Sequence, residues 1–289
     1  MATTVKIWFS TIATTFANPS ALLVFAIIYA LLLIASYIFI SVQEATIWQV
    51  LATYVLMVLI PIGFFTLQAS IIDRVLDQKL RWRVILIDAL KFLLVSIPVL
   101  LLVWLLYYLL SKISARYPAP VVEVLPPNRA VPPIASTPPT TQPLHWPSLI
   151  FATLRFVLLG VALPLATIHL WIAVAGGRFR ILFGDGAKSF FRRIGSALAR
   201  AFSSDSVLIY GLGLILFFVL PYVMLVPTFT INGTKTEFTV FVLRLLLSFL
   251  FSLIGWVITL TALARTVSGL PPEVAAPADA RPTEATAPA

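Results

Sequence analysis

Residues Lys188–Val226 read KSFFRRIGSALARAFSSDSVLIYGLGLILFFVLPYVMLV. Three patterns follow one another in this stretch. On a helical wheel, Phe190, Phe191, Ile194, Ala197, Leu198, Ala201 and Phe202 fall on one side, while Lys188, Arg192, Arg193, Ser196 and Arg200 cover the other. Such a helix lies in a membrane interface, with its aromatic face in the acyl boundary and its cations at anionic headgroups. Each Lys or Arg near such a surface contributes about 1 kcal/mol. Ser203, Ser204 and Asp205 then offer N-cap oxygens for a new helix. The run from Val207 to Val226 is long and apolar enough to cross a bilayer.

The same surface-then-span plan recurs twice. Near the amino end, Val5, Trp8, Phe9, Ile12 and Phe16 line one face of residues 1–19, and Asn18-Pro19-Ser20 starts the next helix. The third copy is Ile71–Arg83, with Ile71, Ile72, Val75, Leu76 and Leu80 on its apolar side and Asp73, Arg74, Asp77, Lys79, Arg81 and Arg83 on its wet side. Lys6–Ile12 matches Lys188–Ile194, and Phe16–Leu23 matches Phe202–Ile209 after one added turn, which suggests an internal repeat.

Composition agrees with a polytopic membrane protein. The chain has 289 residues, 60% hydrophobic and 11% charged, with mean hydropathy +1.03, whereas soluble domains carry about 25% charge. The net charge is +9, but the cations gather between apolar runs rather than in a nucleic-acid footprint. No nucleic-acid partner is expected. The absence of Cys excludes disulfides and thiolate chemistry. The first apolar run is about 20 residues long with no small-residue cleavage pattern after it, so it reads as a retained span.

The expected fold class is therefore an all-α integral membrane protein. Six transmembrane helices form three hairpins, with cytoplasmic amphipathic interfacial helices and a small external β-hairpin. Residues 20–111 carry the first three spans, about Ser20–Ile40, Ile47–Gln68 and Val84–Leu110. Residues 112–148 hold ten of the chain's 21 prolines and read as an extracytoplasmic Pro-rich loop. Residues 149–266 carry the other three spans, about Leu149–Ala175, Val207–Val226 and Val240–Ala264, with the basic helix at 187–202. Thr228–Thr239 reads TFTINGTKTEFT, and Asn232-Gly233 between alternating residues predicts the external hairpin at 228–240. Residues 267–289 read as a disordered tail. Pro61, Pro98, Pro164 and Pro221 fall inside spans and predict kinks.

Cation placement sets the expected topology. The amino end, the second-to-third and fourth-to-fifth connections and the tail hold 14 Lys and Arg, against six on the other side. The bacterial inner membrane with both termini cytoplasmic follows.

Few residues in the spans carry chemistry. Arg155, Arg244 and His169 are intramembrane ionisable groups, and such positions are candidate ligand sites. They suggest an outward-facing pocket in which the two arginines hold an anionic group; the competing reading has each arginine snorkelling to headgroups. Lys188, Arg192, Arg193 and Arg200 are expected at the membrane surface. Asp88 and Lys91 are spaced to pair with each other. His145 and His169 make no metal pattern, GGRFRILFGDG is no phosphate loop, and nothing implies a cofactor or catalytic residues. The expected partners are anionic membrane lipids, with a protein partner or a second copy of the chain. The leading reading is a non-enzymatic membrane scaffold or accessory subunit. Its alternative is a transporter or lipid-handling protein that binds an anionic ligand from the outer side.

Overall fold

The computed structural model describes residues 2–42, 46–77, 81–117, 145–175, 195–196, 199–226 and 234–269. These residues form α1 (Ala2–Phe16), α2 (Pro19–Ser41), α3 (Ile47–Asp77), α4 (Trp82–Ser114), α5 (Trp146–Ala173), α6 (Ser204–Leu225) and α7 (Thr234–Ser268). The six helices α2 to α7 are long and apolar enough to cross a membrane. The chain divides into two compact units, Met1–Ser96 with Leu165–Ala289, and Ile97–Pro164.

Local signals explain the helix starts. α2 begins at Pro19 with Asn18 at the N-cap position, although the Asn18 side chain makes no cap bond. Its Nδ2 donates back to the Thr14 carbonyl at 3.2 Å instead. Ser203 caps α6 by accepting from the Ser206 amide, and His145 caps α5 by accepting from the Ser148 amide. α7 ends at Gly269 in the left-handed region, φ 65°, where a Cβ would be strained.

In the larger unit, α2 packs on α3, α6 on α7, and α7 also on α3 and α1. Small residues permit these close approaches, as they do between helices in lipid. A Cβ on Gly213 would meet Thr259 Oγ1 at 2.0 Å, and one on Gly255 would meet the Phe217 amide nitrogen at 2.8 Å. The interior is partly polar. Gln68, Ser70, Thr259, Ser248 and Ser206 are buried, while Leu23, Ile27, Leu31 and Ile34 are exposed. Phe65, Phe92 and Trp171 form an aromatic cluster, and the Trp171 indole donates to Ser96 Oγ at 2.9 Å. The expected pair Asp88–Lys91 forms at 2.5 Å.

Prolines reshape two helices. The turns Phe156–Ala162 and Ile215–Val219 are π-helical, each ending two residues before a proline, Pro164 and Pro221. Proline lacks the N–H that would bond the carbonyl four residues back. For Pro221 that carbonyl is Phe217, and Ser252 Oγ on α7 donates to it at 3.1 Å. A neighbouring hydroxyl thus replaces the missing donor, as an apolar setting without water requires. α3 and α4 remain helical through Pro61 and Pro98.

Several expectations need correction. No strand occurs among the described residues. Residues 234–240, expected as the second hairpin strand, are the first turns of α7. An isolated two-stranded ribbon is marginal in water, and the following apolar helix extends backward through Thr239, whose hydroxyl donates to the Lys235 carbonyl at 2.9 Å. The first strand, at 228–231, lies outside the described residues.

The three-hairpin arrangement is also not observed. α2–α3 and α6–α7 are close pairs, whereas α4 and α5 meet through side chains such as Trp171 and Ser96.

Interfacial placement of the two expected helices near the first three spans is not supported, and each departs from its expected faces, α1 at Trp8 and Ile71–Asp77 at Asp73. α1 buries Thr4, Trp8 and Thr11 and exposes Val5, Phe9 and Phe16. Ile71–Asp77 is the continuation of α3, with Asp73 buried rather than wet. Of the basic helix at 187–202, Lys188, Arg192 and Arg193 lie outside the described residues. Arg200 is helical and exposed, and its Nε donates to the Ser196 carbonyl at 3.4 Å. Residues 118–144 and 270–289 also lie outside.

Candidate functional site

The structure gives Arg155, Arg244 and His169 separate surroundings. Arg155 belongs to the Ile97–Pro164 unit. Its Nη2 donates to Ser114 Oγ at 2.8 Å and Ser111 Oγ at 3.4 Å, and its guanidinium stands 5.7 Å from the Tyr107 ring centroid. A cavity of about 270 Å³ adjoins it, lined also by Ser114, Tyr117, Ser148 and Phe151. Arg244 belongs to the larger unit, where its Nε donates to the Met224 carbonyl at 2.5 Å. That carbonyl is in the last turn of α6, where the intrahelical donor is missing, so Arg244 serves as a C-terminal cap from the neighbouring helix. His169 is 3% exposed, and its Nε2 has no hydrogen-bond partner among the described residues. None of the cavities described here is lined by two of these three residues.

A different cluster forms at one end of the larger unit. The corner between α1 and α2, the end of α3 and the end of α7 meet there. They enclose a polar cavity of about 200 Å³ whose wall includes Thr14, Thr15, Asn18, Arg74, Thr261 and Arg265, with no Asp or Glu among the described lining residues. Arg74 Nη2 donates to Asn18 Oδ1 at 3.2 Å. Local sequence explains the convergence. Asn18-Pro19 breaks the chain between α1 and α2, and basic residues occupy the last turns of α3 and α7, where they complement the helix dipoles. The start of α6 belongs to the same end, because Thr4 of α1 donates to the Asp205 carboxylate in the first turn of α6. Two guanidiniums and the first turn of α2 each bring positive charge to this wall.

A second cavity continues along the same helices. It measures about 380 Å³, and its wall is mostly apolar, with Leu32 and Leu33 from α2, Phe64 and Gln68 from α3, and Leu253 and Trp256 from α7. Its lining begins close to that of the polar cavity on each helix: Phe25 gives way to Tyr29, Ile71 to Gln68, and Val257 to Trp256. Gln68 is fully buried. Its Oε1 accepts from Trp256 Nε1 at 2.7 Å. An indole nitrogen only donates, so the amide orientation is fixed and Nε2 is the group left over. Nε2 is buried with no hydrogen-bond partner among the described residues.

Sequence reasoning missed Arg74, Arg265 and Gln68 as a group. Gln68 carried a signal, a lone amide at the end of an apolar run, but its partner is 188 positions away. No protein-family model, curated protein or solved structure matches this chain.

Proposed function

We propose that this multi-pass protein is a non-enzymatic membrane scaffold or accessory subunit that holds an anionic lipid headgroup between Arg74 and Arg265. The observation that carries this reading is the polar cavity whose wall holds both Arg74 and Arg265. Phosphate accepts charge-assisted hydrogen bonds from guanidinium groups, which bind it more strongly than neutral donors do. The Lys- and Arg-rich end then faces the cytoplasm of a bacterial inner membrane, with both termini on that side and the basic stretch around Lys188, Arg192, Arg193 and Arg200 adding surface attraction. The test is lipid analysis of the purified protein. Anionic phospholipid enriched over the bulk membrane in wild type, and lost in Arg74→Gln with Arg265→Gln, is the expected result. Bulk composition in both preparations would refute the reading.

The transport or lipid-handling alternative draws on the π-helical turns before Pro164 and Pro221, since interrupted helices are frequent in transporters. In that reading Arg155 holds an anionic ligand in its own cavity. Anion flux in proteoliposomes that falls in Arg155→Gln would favour it over the scaffold.

A further inference from the structure

The polar and apolar cavities follow each other along α2, α3 and α7, and Gln68 in the wall of the second has a buried amide N–H with no hydrogen-bond partner among the described residues. From this succession of cavities we infer that the seam binds one acyl-ester phospholipid, with its phosphate at Arg74 and Arg265, one acyl chain in the apolar cavity, and an ester carbonyl accepting from Gln68 Nε2. The headgroup half rests on the function proposed above; the chain and carbonyl halves do not.

Three physical points select this ligand class. A buried amide donor without an acceptor is costly in apolar surroundings, and water is disfavoured in a cavity this apolar. An ester carbonyl supplies an acceptor and brings no charge. The volume of about 380 Å³ lies within the range of small-ligand pockets, about 300–1,000 Å³. The third point is spacing. Gln68 and Arg74 are six residues apart on α3, about 9 Å along the axis. Helical side chains all lean toward the N-terminus, so the tilt leaves this axial spacing unchanged. A molecule with a phosphate a few bonds from a carbonyl spans that gap. A free fatty acid carries charge and acceptor in one group and cannot reach both ends. A diacylglycerol or a prenylated quinone has the carbonyl but no phosphate.

The test uses the full chain, delipidated in detergent, and native mass spectrometry with three probes: phosphatidylglycerol, its diether analogue lacking ester carbonyls, and diacylglycerol. In wild type, phosphatidylglycerol binds most tightly and the diether about five-fold more weakly, the size of one hydrogen bond. Gln68→Met with Trp256→Phe removes both members of the buried pair, so neither is left as an orphan, and the ester-over-ether advantage disappears. Leu253→Trp fills the apolar cavity while keeping both members of that pair in the sequence and weakens all three probes. Arg74→Gln with Arg265→Gln erases the preference for phosphatidylglycerol over diacylglycerol but keeps the ester advantage. Equal binding of ester and ether in wild type, or an ester advantage that survives loss of Gln68, overturns the inference even if the arginine variants behave as expected. Equal binding of phosphatidylglycerol and diacylglycerol, with the ester advantage intact, instead overturns the headgroup half and the function built on it.

Discussion

Gly213 decides how closely α6 and α7 approach, and Gly213→Ala tests that contact directly. A Cβ there would stand 2.0 Å from Thr259 Oγ1, 2.7 Å from Cγ2 and 2.9 Å from Cβ. Ordinary contacts between carbon atoms are near 3.5–4.0 Å, so the added methyl needs more than an ångström of relief. Rotating Thr259 does not supply it, because the Thr259 Cβ is itself too close, and Thr259 Oγ1 is engaged with the Gly255 carbonyl at 2.6 Å. The helices must separate, with a cost of about 1–3 kcal/mol set against a helix-propensity gain of about 1 kcal/mol for Gly→Ala. Gly211 provides the control. It is on the same helix with nothing within 4 Å of its added Cβ, so Gly211→Ala keeps the propensity gain and carries no clash. Thermal unfolding in detergent should place Gly213→Ala below wild type and Gly211→Ala at or above it. Thr259→Gly should recover most of the loss when combined with Gly213→Ala, since it removes all three clashing atoms. A Gly213→Ala protein as stable as Gly211→Ala, or a double variant no better than the sum of its parts, would refute the close approach.

Other contacts give further tests by the same unfolding assay. Ser252→Ala should destabilise by about 1 kcal/mol, because the Phe217 carbonyl loses the hydroxyl that stands in for the missing Pro221 amide; the cost should shrink in a Pro221→Ala background, where that amide returns. Ser96→Ala should cost more than Ser96→Ala with Trp171→Phe measured against Trp171→Phe alone, since only the first leaves a buried indole N–H without its acceptor. Asp205→Ala should loosen α1, which Thr4 ties to α6; amide exchange in residues 4–16 should quicken while α3 stays protected, and unchanged exchange would dismiss the tether.

The spans and their caps were legible because both are local. An apolar run of bilayer length signals a membrane helix from composition alone, and Ser203 or Pro19 acts on amides within one turn of itself. The inward faces were not legible. The wheel of α1 grouped Trp8 with Val5, Phe9 and Phe16 on one lipid-facing side, whereas the structure buries Trp8 with Thr4 and Thr11 and leaves Val5, Phe9 and Phe16 exposed. Lipid is as apolar as any core, so hydrophobicity alone does not choose the inside; small and hydrogen-bonding residues do. The alternation in Thr228–Thr239 misled for a related reason. Thr and Phe suit a strand surface, but the long apolar helix that follows recruits residues 234–240 into its own hydrogen-bond ladder.

By itself, then, the sequence determined a chain of six apolar helices with basic connections and their starting points, because hydropathy and capping depend on neighbours along the chain. Only the tertiary structure decided which polar groups meet. Arg244 reaches the end of α6, Ser252 answers Pro221, and Gln68 finds Trp256 across 188 positions, while Arg74 and Arg265 share one cavity wall. Such pairings depend on helix order and rotation within the bundle, which one-dimensional periodicity does not encode.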